Sequence, residues 1–452
     1  MKKIFYFSLL VASALTFSSC THEEDDIFDK SAAEILNEVS ELYSERLASS
    51  EGGWAIEYYP TIIEDFDPTV DNQYQVQGYL LLADFNKDGS VNMGMKNIVS
   101  GNRFISDRSA WDVITDLGPV LSFSTYNNCI HPFAQPEESG VLDTDKGKGL
   151  EGDYEFMMLD VPENPEYIML KGKKRGTYVR MSRLDADTDF ASYYSNLDAL
   201  NGKYFNPSAP NNLVMTLGET AMNVKDAGTG LITTWPVGGD EVADAVIRPF
   251  LTFVHNGEFR LRFRDAIELE DGSTAQEFAY NEEDDVFHGL ENNDFTIAGP
   301  DANAFVYSYI TDKHKIQWDR QSESAGQMKD VYENVYQGFR KLNYTLSNVQ
   351  ILNDVNNGLV CRVSYRTNRG TSATLNYKFS MELSDGAVTF KYIEPVGTSG
   401  NVLNTIPSLL DMLNALSSSF TASKSETGFD LTKTKLTSSA NPNDWFVVTL
   451  IN

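Results

Sequence analysis

The polar and apolar positions of this chain change period as it runs. Ile4 to Phe17 is an apolar stretch broken only by Ser8, Ser13 and Thr16, too short to span a bilayer and the size of a secretory leader core. From Ala32, the positions Ile35, Leu36, Val39, Leu42, Tyr43 and Leu47 recur at helical spacing, behind Ser31 and Glu34 at capping-box spacing. Alternation then takes over. Trp54–Tyr59 predicts a strand ended by Pro60, and Gln75–Phe85 with Ser90–Met95 predicts a hairpin across Asn86-Lys87-Asp88-Gly89. Further strands are expected at 120–126, 154–159, 167–170 and 177–184.

Residues 185–200 are polar, rich in Asp and Tyr, and predict a boundary with a short helix. Strand patterning resumes at 213–217, 231–235, 250–255, 258–263 and 276–280, with Asn256-Gly257 as a type I′ turn. A last region predicts extended segments at 305–310 and 315–318, then an amphipathic helix through Met328, Val331, Tyr332, Val335, Phe339 and Leu342. Strands at 344–352, 359–367, 372–383 and 387–393, a helix at 405–416 and a strand at 445–451 complete it. Short connections without alternating long helices predict a mainly β chain of antiparallel barrel-like or sandwich domains with a few amphipathic helices. The expected divisions are a leader at 1–19, a tether at 20–30, a β domain at 31–185, a middle β region at 186–300 and an α+β region at 301–452.

Composition narrows the function classes. The chain of 452 residues carries a formal charge of −29, and −31 once Lys2 and Lys3 leave with the leader. Nucleic acid and anionic membrane faces are poor partners for such a chain, because phosphate binding needs Lys and Arg clusters. The 26 Phe and 22 Tyr place it among folded proteins. Past residue 20 the cysteines are Cys129 and Cys361, far apart and read as buried free thiols.

Candidate chemistry is thin. Asp84, Asn86 and Asp88, with Gly89, match the first half of a calcium loop, but its twelfth position is Met95 and its flanks are strands. A hairpin turn is the expectation. His22, His131, His255, His288 and His314 never share a helix turn, so no zinc-hydrolase spacing is present. Cys129 and His131 are close enough in sequence for a nucleophile pair, although a packed strand end suits them better. No Gly-x-Ser-x-Gly occurs, and no carboxylate pair stands out for glycosidase work. Neither a cofactor nor a catalytic residue is assigned. The basic run Lys171, Lys173, Lys174 and Arg175 offers a site for an anionic ligand or a solvated turn. For a sugar binder the aromatic candidates are Tyr58, Tyr59, Tyr193, Tyr194, Trp235 and Trp318. In a strand, one member of an adjacent Tyr pair faces the core.

Phe17-Ser18-Ser19-Cys20 resembles a bacterial lipobox lacking the usual Leu three residues before the cysteine. The resemblance implies that Cys20 is the lipid-bearing first residue of the mature protein. The acids Glu23-Glu24-Asp25-Asp26 that follow resemble the surface-export signal of Bacteroidetes-type outer-membrane lipoproteins. Several stretches in order also carry a family likeness: 26–34, Gly53-Trp54-Ala55-Ile56-Glu57-Tyr58-Tyr59-Pro60, Leu121-Ser122-Phe123-Ser124-Thr125-Tyr126-Asn127, Gly152-Asp153-Tyr154-Glu155-Phe156 and Leu170-Lys171-Gly172-Lys173-Lys174. Together they resemble the Bacteroidetes lipoprotein family of domain of unknown function 4302, most densely over 20–185. That family supplies no catalytic or ligand residues. The resemblance implies a surface-exposed lipoprotein held to the outer membrane by its lipid, serving SusC/SusD-like uptake of glycan or peptide as a non-enzymatic binding or accessory component. A hydrolase of glycan or peptide, or a structural or adhesive surface protein, are the alternatives.

Overall fold

The computed structural model describes residues 30–63, 67, 73–136, 149–226, 230–426 and 428–451. The leader, Cys20 and the acidic run lie outside the described residues.

The chain is mainly antiparallel β, with barrel-like sheets. Helix α1 (Ala32–Leu47) starts at Ser31, whose hydroxyl accepts from the Glu34 N–H while the Glu34 carboxylate accepts from the Ser31 N–H. It leads into β1 (Trp54–Tyr59), and Trp54 Nε1 donates back to the Leu47 carbonyl at 2.9 Å. The expected strand from Gln75 begins instead with one helical turn, α2 (Gln73–Val76), before β2 (Tyr79–Phe85). Then come β3 (Ser90–Met95), β4 (Ile105–Ala110), β5 (Asp112–Thr115), β6 (Pro119–Ser122), β7 (Glu155–Asp160), β8 (Tyr167–Gly172) and β9 (Tyr178–Arg183).

Their order is β4-β3-β2-β1-β9-β8-β7-β6-β5, so the first strand pairs with the last and the meander curls back on itself. The break falls between β4 and β5, which only Trp111 separates. Backbone bonds from Trp111 to Gly89 and from Ser124 to Ala110 bridge that seam. Trp54, Tyr58, Leu81, Met93, Phe123 and Phe156 fill the interior.

Helix α3 (Phe190–Tyr204), capped by Asp189, leads to a closed eight-stranded barrel. Its strands are β10 (Leu213–Leu217), β11 (Thr220–Asp226), β12 (Leu231–Pro236), β13 (Val246–His255), β14 (Glu258–Glu268), β15 (Thr274–Asn281), β16 (Val286–Gly289) and β17 (Thr296–Ala298). Asn256 and Gly257 both take positive φ, as a type I′ turn requires. Ala55, Tyr59, Leu80 and Leu82, on the outer face of the first barrel, share one apolar cluster with Tyr194 and Leu197 of α3 and with Leu251 and Phe253 of β13.

The third unit corrects one expectation. Residues 305–310 lie in a helix, α4 (Ala302–Thr311), not in a strand. Asp301 accepts from the Ala304 N–H, and the buried positions Asn303, Val306, Tyr309 and Ile310 follow helical spacing. The β-branched and aromatic content that suggested a strand packs instead on one face of the helix. Strands β18 (Lys315–Trp318) and β19 (Ser324–Ala325) precede α5 (Gly326–Lys341). The long strands β20 (Thr345–Asp354), β21 (Gly358–Arg366), β22 (Ser372–Ser384) and β23 (Ala387–Pro395) follow. The helix expected at 405–416 is α7 (Ser408–Leu416), and a further short helix, α6 (Ser399–Thr405), precedes it across Ile406 and Pro407. The chain ends in β24 (Ser419–Lys424), β25 (Lys433–Ser438) and β26 (Trp445–Ile451). Because β18 pairs with both β20 and β26, this sheet also closes.

Candidate functional site

The aromatic candidates are structural. Tyr58 is fully buried in the first barrel; its hydroxyl donates to the Asp153 carbonyl and accepts from the Asp153 N–H, both at 2.9 Å. Tyr59 points outward from the same strand into the contact with the second barrel, and its hydroxyl has no hydrogen-bond partner among the described residues. Tyr193 bridges the Val254 N–H and carbonyl, and Tyr194 donates to the Leu80 carbonyl at 2.8 Å. Trp235 is buried on β12, and Trp318 is buried against Tyr332 and Phe446. Five of the six are buried, and Tyr193 is half-buried. Each ring closes a contact between elements or fills a core, which is where large side chains are most stabilising.

The basic run is the turn between β8 and β9, and it organises its own surroundings. Lys173 pairs with Asp116 at 2.9 Å and Glu155 at 3.3 Å, and Arg175 pairs with Glu151 at 2.8 Å. The hydrogen bonds to Asp116 and Glu155 raise the Lys173 pKa. Lys171 and Lys174 are exposed. Under the turn, the buried Asp153 carboxylate accepts from the backbone N–H groups of Lys174 and Arg175 and from the Thr177 hydroxyl at 3.0 Å. Gly172 leaves the room: a Cβ there would meet Asp153 and lie 2.6 Å from the Thr177 nitrogen. The stretches around Tyr58, Asp153 and Gly172 therefore interlock at one end of the first barrel.

Asp84 lies on β2, paired with Asn92 of β3, and Asn86 and Asp88 lie in the β2–β3 hairpin turn. Asp88 accepts from the Ser90 N–H and pairs with Arg108 at 3.1 Å, while Met95 is in the core. Among the described residues no group of three or more His, Cys, Asp or Glu side chains is arranged to hold a metal ion. Cys129 and Cys361 are free and buried. Burial pushes both thiols up to about 12, with Asp107 adding to the rise at Cys129. Such a thiol is not a nucleophile at neutral pH, and the ring of His131 lies between two tyrosines instead.

Beside the hairpin turn lies an open cleft of about 580 Å³. Ser44, Glu45, Ala48 and Ser49, at the end of α1, form one wall; Asn86, Lys87 and Gly89 form another, and Trp111 with Asp112 completes the lining. The Trp111 indole is fixed by donation to the Ser90 carbonyl at 3.0 Å and by an edge contact with Phe85. Glu45, Lys87 and Asp112 are exposed, so the cleft offers hydrogen-bonding groups in water rather than desolvated acids.

A charge network that the sequence reading did not single out lies between the first two barrels. Glu57 of β1 accepts from Arg180 at 2.7 Å and from Arg262 at 3.0 Å; Glu277 of β15 pairs with Arg180 at 3.1 Å and Arg260 at 2.9 Å. Glu57, Arg262 and Glu277 are buried. Arg260, Arg262 and Arg264 alternate along β14, and this period-two spacing was the available signal.

A family model described as a domain of unknown function, DUF4302, matches residues 24–282. The chain belongs to this family. Its matched region holds the first barrel, α3 and strands β10 to β15, so both sides of the Glu57–Arg262 contact lie within the DUF4302 region. No curated protein matches. Among solved structures, a DNA polymerase sliding clamp from Pseudomonas aeruginosa is 10% identical, covers 90% of this chain and 96% of its own, and gives a TM-score of 0.14. Kievitone hydratase from Nectria haematococca is 10% identical over 90% of this chain and 91% of its own, with a TM-score of 0.12. Likenesses at these scores carry no argument about fold or function.

Proposed function

We propose that this protein is a lipoprotein anchored in the outer membrane through Cys20, facing outward, that binds glycan or peptide as a non-enzymatic component of a SusC/SusD-like uptake system. The observation that carries the reading is the order of parts. A lipobox-like Cys20 and four acids are followed by a capped helix whose far end forms a wall of the polar cleft. At 1.5 Å per residue, the 16 residues of α1 span about 24 Å, which separates the cleft from the Ser31 end of the helix. The high-pKa Cys129 and the solvated cleft carboxylates favour binding over chemistry.

Labelled palmitate should enter the wild-type protein and not Cys20→Ala, and protease added to intact cells should cut the protein. Label in Cys20→Ala, or a protein untouched at the surface, contradicts the anchoring and the orientation respectively. A pull-down from the native membrane should recover a SusC-like partner. The one observation favouring a hydrolase is the presence of Glu45 and Asp112 in the same cleft. Glycan or peptide turnover that is lost in Glu45→Gln would establish that reading instead.

A further inference from the structure

At the end of the first barrel that holds Asp153, three rings form a stack no core requires. The His131 ring lies 4.7 Å from Tyr154, tilted by 23°, and 5.1 Å from Tyr126, tilted by 34°. Both tyrosines sit in loops flanking β6 and β7, and they are 53% and 42% exposed. Each packs against His131 and yet stays about half exposed.

The stack is held in place before any ligand arrives. Gln135 Nε2 donates to the Tyr126 hydroxyl at 3.0 Å, and the Asn127 N–H donates to His131 Nδ1 at 3.1 Å. The exposed neighbours in the same loop are Ser124, Thr125 and Asn128, two hydroxyls and an amide. In the adjoining turn Lys173 and Arg175 are paired with carboxylates, while Lys171 and Lys174 are exposed. Rigid rings with polar edges suit a ligand that is flat and rich in hydroxyls. A protein partner would find only two rings rather than a continuous apolar patch of several hundred square ångströms. The backbone also links the stack to the cleft: Ser124 donates to the Ala110 carbonyl, and the next residue, Trp111, lines the cleft.

We propose that the outer faces of Tyr126 and Tyr154, braced by His131, bind neutral sugar rings of an oligosaccharide. The proposal rests on the binding reading above for the ligand's source, and on the stack alone for its place. Full-length protein in detergent micelles would be run through native gels containing starch, mannan, xylan or hydroxyethyl cellulose. At least one polysaccharide should retard the wild type. Tyr126→Ala and Tyr154→Ala should each weaken that retardation at least tenfold, while Tyr126→Phe and Tyr154→Phe, which keep the ring face, should preserve it. Circular dichroism of the four variants should match the wild type. No retardation by any of the four gels overturns the proposal. Retardation that persists in both Ala variants overturns the site and leaves the uptake reading standing. Loss of a protein partner from the Ala variants, with no sugar retardation in the wild type, assigns the patch to protein docking and overturns the sugar.

Discussion

Two sets of tyrosines in the first barrel and its neighbouring helix differ in what their hydroxyls and faces do. Tyr58, Tyr193 and Tyr194 are adjacent-pair members whose hydroxyls bond backbone groups on distant segments, at Asp153, Val254 and Leu80. They act as side-chain rivets. Tyr126 and Tyr154 stand singly in loops, stack on His131 and face water. Aromatic pairs in strands and helices are placed by the core; single aromatics in loops are free to serve a ligand. The difference predicts that mutating the first set costs stability and mutating the second costs binding.

The largest effect is expected beside Tyr58, at Glu57. Glu57→Ala leaves Arg180 and Arg262 with Glu277 as their remaining carboxylate in a buried contact, which costs about 3 kcal/mol. Urea unfolding would measure it, and a loss below the error of the midpoint would show that the network is solvated. Tyr58→Phe keeps the ring but strands the buried Asp153 N–H, at about 1–3 kcal/mol. Were that variant as stable as wild type, the rivet description would be wrong.

A smaller effect comes from pH. Burial is the main cause that lowers the His131 pKa from its ordinary 6.5. The unfolded chain then binds the proton more readily than the folded one, so stability is full above about pH 6.5 and falls as pH drops below it. Burial also lowers His255, whereas the Asn293 carbonyl and Asp284 raise His288 and act in the opposite sense. The His131 share is therefore the difference between wild type and His131→Phe, measured from pH 7.5 to 5; it should favour wild type less as pH falls. A constant difference would mean that His131 titrates alike in both states. The smallest stability effect belongs to Tyr126→Ala, within about 0.5 kcal/mol for an exposed side chain.

Much of the architecture was legible from period and turns. The capping box at Ser31, the Asn256-Gly257 turn and the β2–β3 hairpin are local, and local chemistry determines them. Ile105–Ala110 was missed because this edge strand, Ile-Ser-Asp-Arg-Ser-Ala, has little apolar alternation to show. Residues 305–310 were misread because aromatic and β-branched content outweighed the Asp301 cap. The candidate site was less legible still. Lys171–Arg175 is a cluster along the chain, but two of its four charges, Lys173 and Arg175, are neutralised in space; Glu57 and Arg262 are distant in the chain and meet in space. Tyr126, His131 and Tyr154 come from three loop positions, and no single stretch contains the stack.

The most direct test of where this protein binds is a crystal soaked with the hexasaccharide of whichever polysaccharide retards it. A sugar ring should lie on the outer face of Tyr154 or Tyr126, with Tyr58, Tyr59, Tyr193 and Tyr194 untouched. A sugar seated elsewhere, with both outer faces bare, would contradict the account.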